Sequence, residues 1–229
     1  MADMSSHQTP AAKGSGERYI PALRFDSLTR IYDPVVALTT RERHFKRRVL
    51  ERAALESGTA VLDLACGTGT LAIAAAAEAP GVSVTGVDGD PAILVRGREK
   101  ARTAGAAISF DEGLSTELPY SAKTFDVVLS TLFFHHLDDA AKLRTGAEVR
   151  RVLRPGGRFV LGDWGRPQDP LMRIAFLAPQ LFDGFETTRG NVAGRLPAIL
   201  TEAGFGDVTV TDRFRTPLGT IEILSAVAG

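Results

Sequence analysis

From residue 60 onward, short apolar runs alternate with amphipathic stretches. The runs at 60–64, 82–87, 106–110, 125–131 and 157–163 read as strands, with helices near 68–79, 91–104 and 139–153. Near-continuous apolar strands, each followed by a helix, predict an α/β domain whose mostly parallel sheet is covered on both faces. The rhythm breaks over 164–190, which holds three prolines together with Trp164, Phe176, Phe182 and Phe185. That stretch far exceeds the usual connection of about 2–6 residues, so it reads as an inserted lid. A helix near 191–204 and strands near 207–214 and 220–227 follow. Thr216-Pro217-Leu218-Gly219 separates the two strands, which makes them a hairpin instead of another βα unit. Upstream, residues 24–57 read as helices broken at Asp33-Pro34. The second of these carries Phe45 and Val49 at helical spacing among bases, the pattern of a solvated amphipathic face. Residues 1–18 are polar and small, as in a disordered tail, and 19–229 then form a single domain.

The candidate chemistry gathers around residues 60–72, AVLDLACGTGTLA. An apolar strand interrupted by one acid, Asp63, runs into Gly67-Thr68-Gly69 and then into a helix-forming alanine run. Glycines there allow a tight turn and close backbone approach to a ligand, and the helix start offers unpaired N–H groups. A second acid, Asp88, ends VSVTGVD 19 residues after Gly69, a distance that fits one helix and one strand. A carboxylate at the tip of the neighbouring strand can take both hydroxyls of a ribose, so the ligand is expected to contain an adenosine-like group. Pro91, preceded by Asp90 as a cap, starts the next helix.

Composition narrows the classes of function. The 27 basic and 27 acidic residues cancel, which gives no support for a nucleic-acid or anionic-membrane partner. A single cysteine, Cys66, excludes an internal disulfide and a Cys-cluster zinc site, and no metal is expected. No apolar run reaches the roughly 18 residues of a membrane span, and the start lacks a signal-peptide core. The chain is expected to be cytoplasmic.

The stretches VLDLACGTG (61–69), GVD (86–88), LPYSAKTFDVVLSTLFFHHL (118–137) and EVRRVLRPGGRFVLGDW (148–164) resemble the class I S-adenosylmethionine-dependent methyltransferases. FDSLTRIYDPVVALTT at 25–40 looks like the opening helix of the ubiquinone/menaquinone-type branch. The resemblance spans residues 25–228 and implies a doubly wound, seven-stranded, Rossmann-like sheet ending in a β-hairpin. It also implies S-adenosylmethionine as cofactor and S-adenosylhomocysteine as product, along the C-terminal edge of the strands. On this sequence that edge is Asp63 to Gly69, Asp88, Gly113 to Ser115, and Ser130 to Leu132. By similarity Ala65, Gly67 and Gly69 pass beneath the methionine and ribose parts, Asp88 takes the ribose hydroxyls, and Gly89 follows past the adenosine. Thr131 and Leu132 offer backbone to the methionine amine, while Asp63 organises the loop or meets the amine through water. Tyr32 either reaches the cofactor carboxylate or belongs to the core. The family's adenine-binding Asp is replaced by Leu114, which cannot accept the adenine amino group. Ser115, backbone groups, or a shifted Asp111 or Glu112 are left for that role.

His135 and His136 follow the fourth strand at the ligand edge. Either is a candidate general base, and the preferred alternative is that one buttresses the helix start at Asp138-Asp139 while the other faces solvent. Cys66 reads as a small residue packed in the glycine loop. Trp164, Met172, Phe176 and Phe182 line an apolar acceptor pocket, or form lid core or a homodimer contact. The expected function is methyl transfer to a small, fairly apolar molecule. The alternatives are a nicotinamide-dependent oxidoreductase, whose glycine turn follows its strand directly, and a cofactor-binding protein without turnover.

Overall fold

The computed structural model describes residues 42–229. The expected tail over 1–18, the first opening helix and Tyr32 lie outside the described residues. Within them the order is α1 (Glu42–Ala53), β1 (Ala60–Leu64), α2 (Thr70–Ala76), β2 (Ser83–Asp88), α3 (Pro91–Thr103), β3 (Ile108–Glu112), β4 (Phe125–Thr131), a 3₁₀ turn (Phe134–His136) and α4 (Asp139–Val152). There follow β5 (Leu153–Trp164), three lid helices α5 (Pro170–Ala175), α6 (Leu177–Asp183) and α7 (Phe185–Val192), then α8 (Leu196–Glu202), β6 (Phe205–Thr216) and β7 (Gly219–Ala228).

The seven strands form one sheet in the order β3–β2–β1–β4–β5–β7–β6. β1 to β5 are parallel, and β7 inserts antiparallel between β5 and β6 to complete the hairpin. Strand order reverses between β1 and β4, so the crevice at their C-terminal ends is the place where such sheets bind ligands. The two-residue period of each strand divides its apolar side chains between two cores. Leu62, Leu64, Val128, Phe159 and Leu161 face α4 and α8, burying Val149, Val152, Leu196 and Leu200. Val61, Val127, Leu129 and Val160 face the other way, against Phe45 and Val49 of α1 and Leu71 and Ala75 of α2. Gly162 makes the second contact feasible, because a Cβ there would lie 2.5 Å from the Phe45 ring.

Three expectations change in detail. The strand expected at 157–163 begins earlier, at Leu153, with Arg154-Pro155-Gly156-Gly157 inside β5. Leu153 pairs with Phe125, the ladder resumes at Arg158 with Val127, and the intervening residues bulge out with Gly156 at φ 78°. The helix expected over 191–204 is cut by Gly194 at φ 71°, which leaves α7 in the lid and α8 beside β6. The basic face of α1 is partly structural, since Arg48 and Arg52 both donate to Asp212 of β6, Arg52 through two nitrogens at 2.6 and 3.1 Å. Asp90 caps α3 as its sequence position predicts, accepting from the Ala92 and Ile93 N–H groups.

Candidate active site

A cavity of about 630 Å³ opens at the strand-order reversal. Leu64 and Ala65 at the end of β1, Asp88 and Gly89 after β2, Gly113 to Thr116 after β3, and Leu132 and Phe133 after β4 form one wall. His136, Leu137, Asp138, Ala141 and Arg144, with Glu186 and Thr187 of the lid, form the other. Two residues of the first wall are held in the left-handed region although they carry side chains, Ala65 at φ 55° and Leu132 at φ 53°. Such backbone costs of order 1–3 kcal/mol and persists only where neighbouring bonds enforce it. Here the Cys66 N–H donates to the Val87 carbonyl at 3.0 Å and the Leu132 N–H to the Gly162 carbonyl at 2.8 Å.

Asp88 closes the first wall. Its Oδ2 accepts the Gly67 N–H at 2.9 Å and its Oδ1 accepts the Asp90 N–H at 3.0 Å. Burial raises its proton affinity above the usual carboxylate value, against these two bonds. A carboxylate offers about four acceptor positions, so the backbone donors leave room for a ligand hydroxyl. Gly67 and Gly69 are not among the lining residues; their work is to shape the loop. Gly69 has φ 70°, and a Cβ there would fall 2.7 Å from the Phe110 ring. Cys66 packs in the same place, its sulfur 2.8 Å from where a Gly86 Cβ would sit, and burial pushes its thiol up out of the reactive range.

Asp63 lies in β1, two residues before Ala65, and is 2% exposed. Its Oδ2 has no hydrogen-bond partner, and burial pushes the carboxyl up to about 7. An orphaned carboxylate oxygen behind a strained loop fits a cationic group such as an amine, directly or through water. Thr131 ends β4 outside the lining residues, whereas Leu132 forms wall. Leu114 lines the cavity at 42% exposure, so it is no core residue. The Ser115 hydroxyl is already bonded to Thr145 at 3.0 Å, and Asp111 to the Tyr120 hydroxyl at 3.0 Å. The residues that fit an adenosine moiety are therefore Asp88, Gly89 and the Gly113–Ser115 backbone.

The two histidines part company. His135 is 4% exposed, and its Nδ1 lies 2.7 Å from Asp163 Oδ1. Asp163 Oδ2 also accepts the Phe133 and His135 N–H groups, at 3.0 and 3.3 Å, and Oδ1 accepts the Trp164 N–H at 2.6 Å. One buried carboxylate thus holds the whole 3₁₀ turn. Burial alone would depress the His135 imidazole, but the charge and hydrogen bond of Asp163 hold it above its ordinary value. The same pairing keeps Asp163 below the usual carboxylate range despite its burial. The expected buttress at Asp138-Asp139 is not found: His135 pairs with Asp163, Asp138 caps α4 through the Ala141 N–H, and His136 lines the cavity instead of facing solvent. His136 lines the cavity, and burial, reinforced by the neighbouring His135, pushes its ring down to about 3. A group that holds a proton so weakly is a poor general base near neutral pH.

Trp164, Met172 and Phe176 are lid core, with the Trp164 and Phe176 rings 5.2 Å apart, while Phe182 is 68% exposed; none of them lines the cavity. Lys142 of α4, fully buried, donates to the Thr187 carbonyl at 2.7 Å, and Asn191 donates to the Trp164 carbonyl at 2.8 Å. These bonds bring Glu186 and Thr187 over the site. Asp163, and Asp183 with its Oδ2 lying 3.8 Å from His135 Nε2, are the residues around the site that sequence reasoning missed. For Asp163 a signal existed, a lone acid at the end of an apolar strand, the same feature that singles out Asp63. Asp183 had none, because it ends a lid helix with no legible period.

A family described as a methyltransferase domain matches residues 61–157. The demethylmenaquinone methyltransferase of Deinococcus radiodurans is 36% identical over 155 residues, 68% of this chain and 61% of that enzyme, so the chain spans about three fifths of its length. The demethylmenaquinone methyltransferase of Staphylococcus aureus is 30% identical over 207 residues, 81% of this chain and 85% of the other. The crystal structure of a SAM-dependent methyltransferase from Aquifex aeolicus superposes with a TM-score of 0.63 at 19% identity, covering 90% of this chain and all of that one, which shows a shared fold.

Proposed function

Since this chain belongs to the class I S-adenosylmethionine-dependent methyltransferases, in the branch of the demethylmenaquinone enzymes, we propose that it methylates a small, fairly apolar molecule with a quinol-like ring. The observation that carries this reading is the pairing of Asp88, which lines the cavity, with Asp63, whose unpartnered oxygen is buried outside the lining two residues before Ala65. One suits a ribose diol and the other an amino-acid ammonium, which are the two polar ends of S-adenosylmethionine.

When bound, that cofactor supplies a methyl group already activated on a sulfonium. The protein's own contribution is placement. Asp88 and Gly89 hold the ribose, the Gly113–Ser115 backbone and Leu114 border the adenine, and Ala65, with the Gly67–Gly69 loop behind it, supports the methionine part. Asp63 and the Leu132 backbone orient its amine. Leu132, Phe133, Leu137 and Ala141 give the acceptor an apolar seat, and Glu186 and Thr187 of the lid keep water from it. Alignment of this kind can lower a barrier by roughly 7–11 kcal/mol, and an acceptor that ionises easily needs no strong base. His135 positions the turn; His136 touches the acceptor space.

Residues 42–229 act as one domain, with 164–190 as the acceptor lid. The balanced charge gives no support for a nucleic-acid partner. Calorimetry with S-adenosylhomocysteine and NADH tests the assignment. Micromolar binding of the first and none of the second is expected, and the reverse overturns it. Methyl transfer from labelled cofactor to a panel of naphthoquinols and phenols then tests the acceptor class.

A further inference from the structure

His135, His136 and Asp183 place one ligating atom each within 4.8 Å of one another, beside the cavity. The separations are 3.8 Å from His135 Nε2 to Asp183 Oδ2 and 4.0 Å from His136 Nδ1 to Asp183 Oδ1. Both are too long for hydrogen bonds. The Asp183 side chain is 10% exposed, and its Oδ2 has no hydrogen-bond partner. The two oxygens of this buried carboxylate thus each lie near one imidazole nitrogen, and Oδ2 is left unsatisfied.

A second, independent feature tells what belongs there. His135 Nδ1 is fixed at 2.7 Å from Asp163, itself held by three backbone N–H groups. With Nδ1 engaged by that carboxylate, Nε2 is the ring nitrogen that lies toward Asp183. A histidine oriented by a buried carboxylate through its other nitrogen is the usual support for a metal ligand. We propose that His135, His136 and Asp183 form a divalent transition-metal site, with Asp163 fixing the His135 ring. Two imidazoles and one carboxylate suit Zn²⁺ and disfavour Mg²⁺, which takes oxygen ligands. Ligands about 2.0–2.2 Å from a tetrahedral ion lie roughly 3.3–3.6 Å apart, so the three atoms must draw in by about half an ångström or more. Asp183 is the last residue of α6, so this movement would fasten the lid to the 3₁₀ turn. His136 borders the cavity, so the ion would sit at its edge. No metal was expected from the sequence because the three ligands come from two separated segments, 47 residues apart between His136 and Asp183.

The site is independent of the methyl-transfer reading and is tested without cofactor or acceptor. Tag-free full chain is titrated with ZnCl₂ in a calorimeter, and separately with MgCl₂. One Zn²⁺ per chain at micromolar or tighter affinity is expected, with no Mg²⁺ uptake at the same concentrations. CoCl₂ should give the visible absorption of a four-coordinate ion with nitrogen ligands. Asp183→Asn and His136→Ala should each weaken Zn²⁺ at least 10- to 100-fold, and Asp163→Asn by a similar factor through loss of support. His44→Ala, at a histidine outside the cluster, should leave it unchanged. Absence of saturable one-to-one Zn²⁺ uptake by the wild-type chain overturns the proposal and leaves the three groups sharing only a proton or a water. So does uptake that survives Asp183→Asn and His136→Ala but is lost in His44→Ala. Since the wild-type titration alone can decide against the site, a variant that fails to fold does not shelter it.

Discussion

The two walls of the cavity are built on different physical plans. On the β1–β2 side, position is set by backbone: Asp88 is held by the Gly67 and Asp90 N–H groups, and Ala65 is locked in left-handed geometry one residue beyond its strand. Every partner there lies within about one βα unit of the others. On the opposite side, position is set by side chains that meet from far apart. Asp163 at the end of β5 grips a turn 28 residues upstream, and Lys142 of α4 reaches the lid carbonyl of Thr187. The β1–β2 part of the first wall is rigid by local geometry, whereas Leu132, Phe133 and the opposite wall depend on partners from β5, α4 and the lid. Damage to the first should therefore appear as lost ligand affinity, and damage to the second as lost stability.

The sharpest way to break that contrast is Asp163→Ala. It leaves His135 buried without its partner and frees the Phe133, His135 and Trp164 N–H groups together. Removing one partner of a buried ion pair typically costs about 3–5 kcal/mol, and a loss of that size is expected in urea unfolding. A loss below about 1 kcal/mol would mean that apolar packing of Phe134 alone holds the turn. Asp88→Ala tests the other wall. A charge-assisted hydrogen bond contributes about 1.5–3 kcal/mol, so S-adenosylhomocysteine should bind roughly 10- to 150-fold more weakly. The unfolding midpoint should move less than for Asp163→Ala, and equal affinity in the folded variant would remove the ribose from Asp88.

Asp63 gives the third test, through pH. Its carboxyl is raised to about 7 by burial, so the folded chain holds that proton more tightly than the unfolded one does. Between about pH 4 and 7 the unfolded state then binds fewer protons, and this residue's contribution to stability falls as pH rises. Ligand binding runs the opposite way. If the ionised carboxylate receives the amine, affinity should rise about tenfold from pH 6 to pH 8, because the ionised fraction of a group with pKa near 7 rises by that factor. Asp63→Asn should flatten this dependence while leaving a residual, weaker affinity at all pH values. A flat profile in the wild-type chain would confine Asp63 to organising the loop.

The contrast between the walls also explains what could be read from the sequence. The seven strands, the hairpin and the positions of Asp63, Gly69 and Asp88 all follow from periodicity and from spacing within one βα unit, which the chain carries locally. What escaped was non-local or irregular. The Gly156 bulge inside β5 has the same glycine signal as a turn, and Gly194 divides a helix whose apolar pattern continues across it. The role of His135 was legible only as a choice, because its partner is a buried acid on another strand. Trp164, Met172 and Phe176 have the composition of a ligand pocket and the placement of lid core, and sequence alone does not separate these.

Leu114→Asp carries the smallest expected effect and asks whether the first wall tolerates a change of chemistry without a change of shape. Leu114 lines the cavity at 42% exposure, and it is anchored by a single β-bridge to Glu117, so its side chain contributes little to packing. Surface substitutions of this kind usually shift stability by about 0.5 kcal/mol or less, and the unfolding midpoint should scarcely move. A carboxylate at this position can accept from the exocyclic amine of adenine, a bond the leucine cannot make. That bond has a net worth of about 0.5–1.5 kcal/mol when donor and acceptor both give up water. Against it stands the loss of apolar contact with the ring, worth a similar amount. Affinity for S-adenosylhomocysteine should therefore rise by up to about tenfold or stay level, with S-adenosylhomocysteine gaining more than an analogue that lacks the amino group. A large loss of affinity with the fold intact would place the adenine elsewhere along the β3 loop, with Leu114 packed on a different part of the ligand. Equal gains for both ligands would show that the new charge acts on the cationic end of the cofactor and not on its base.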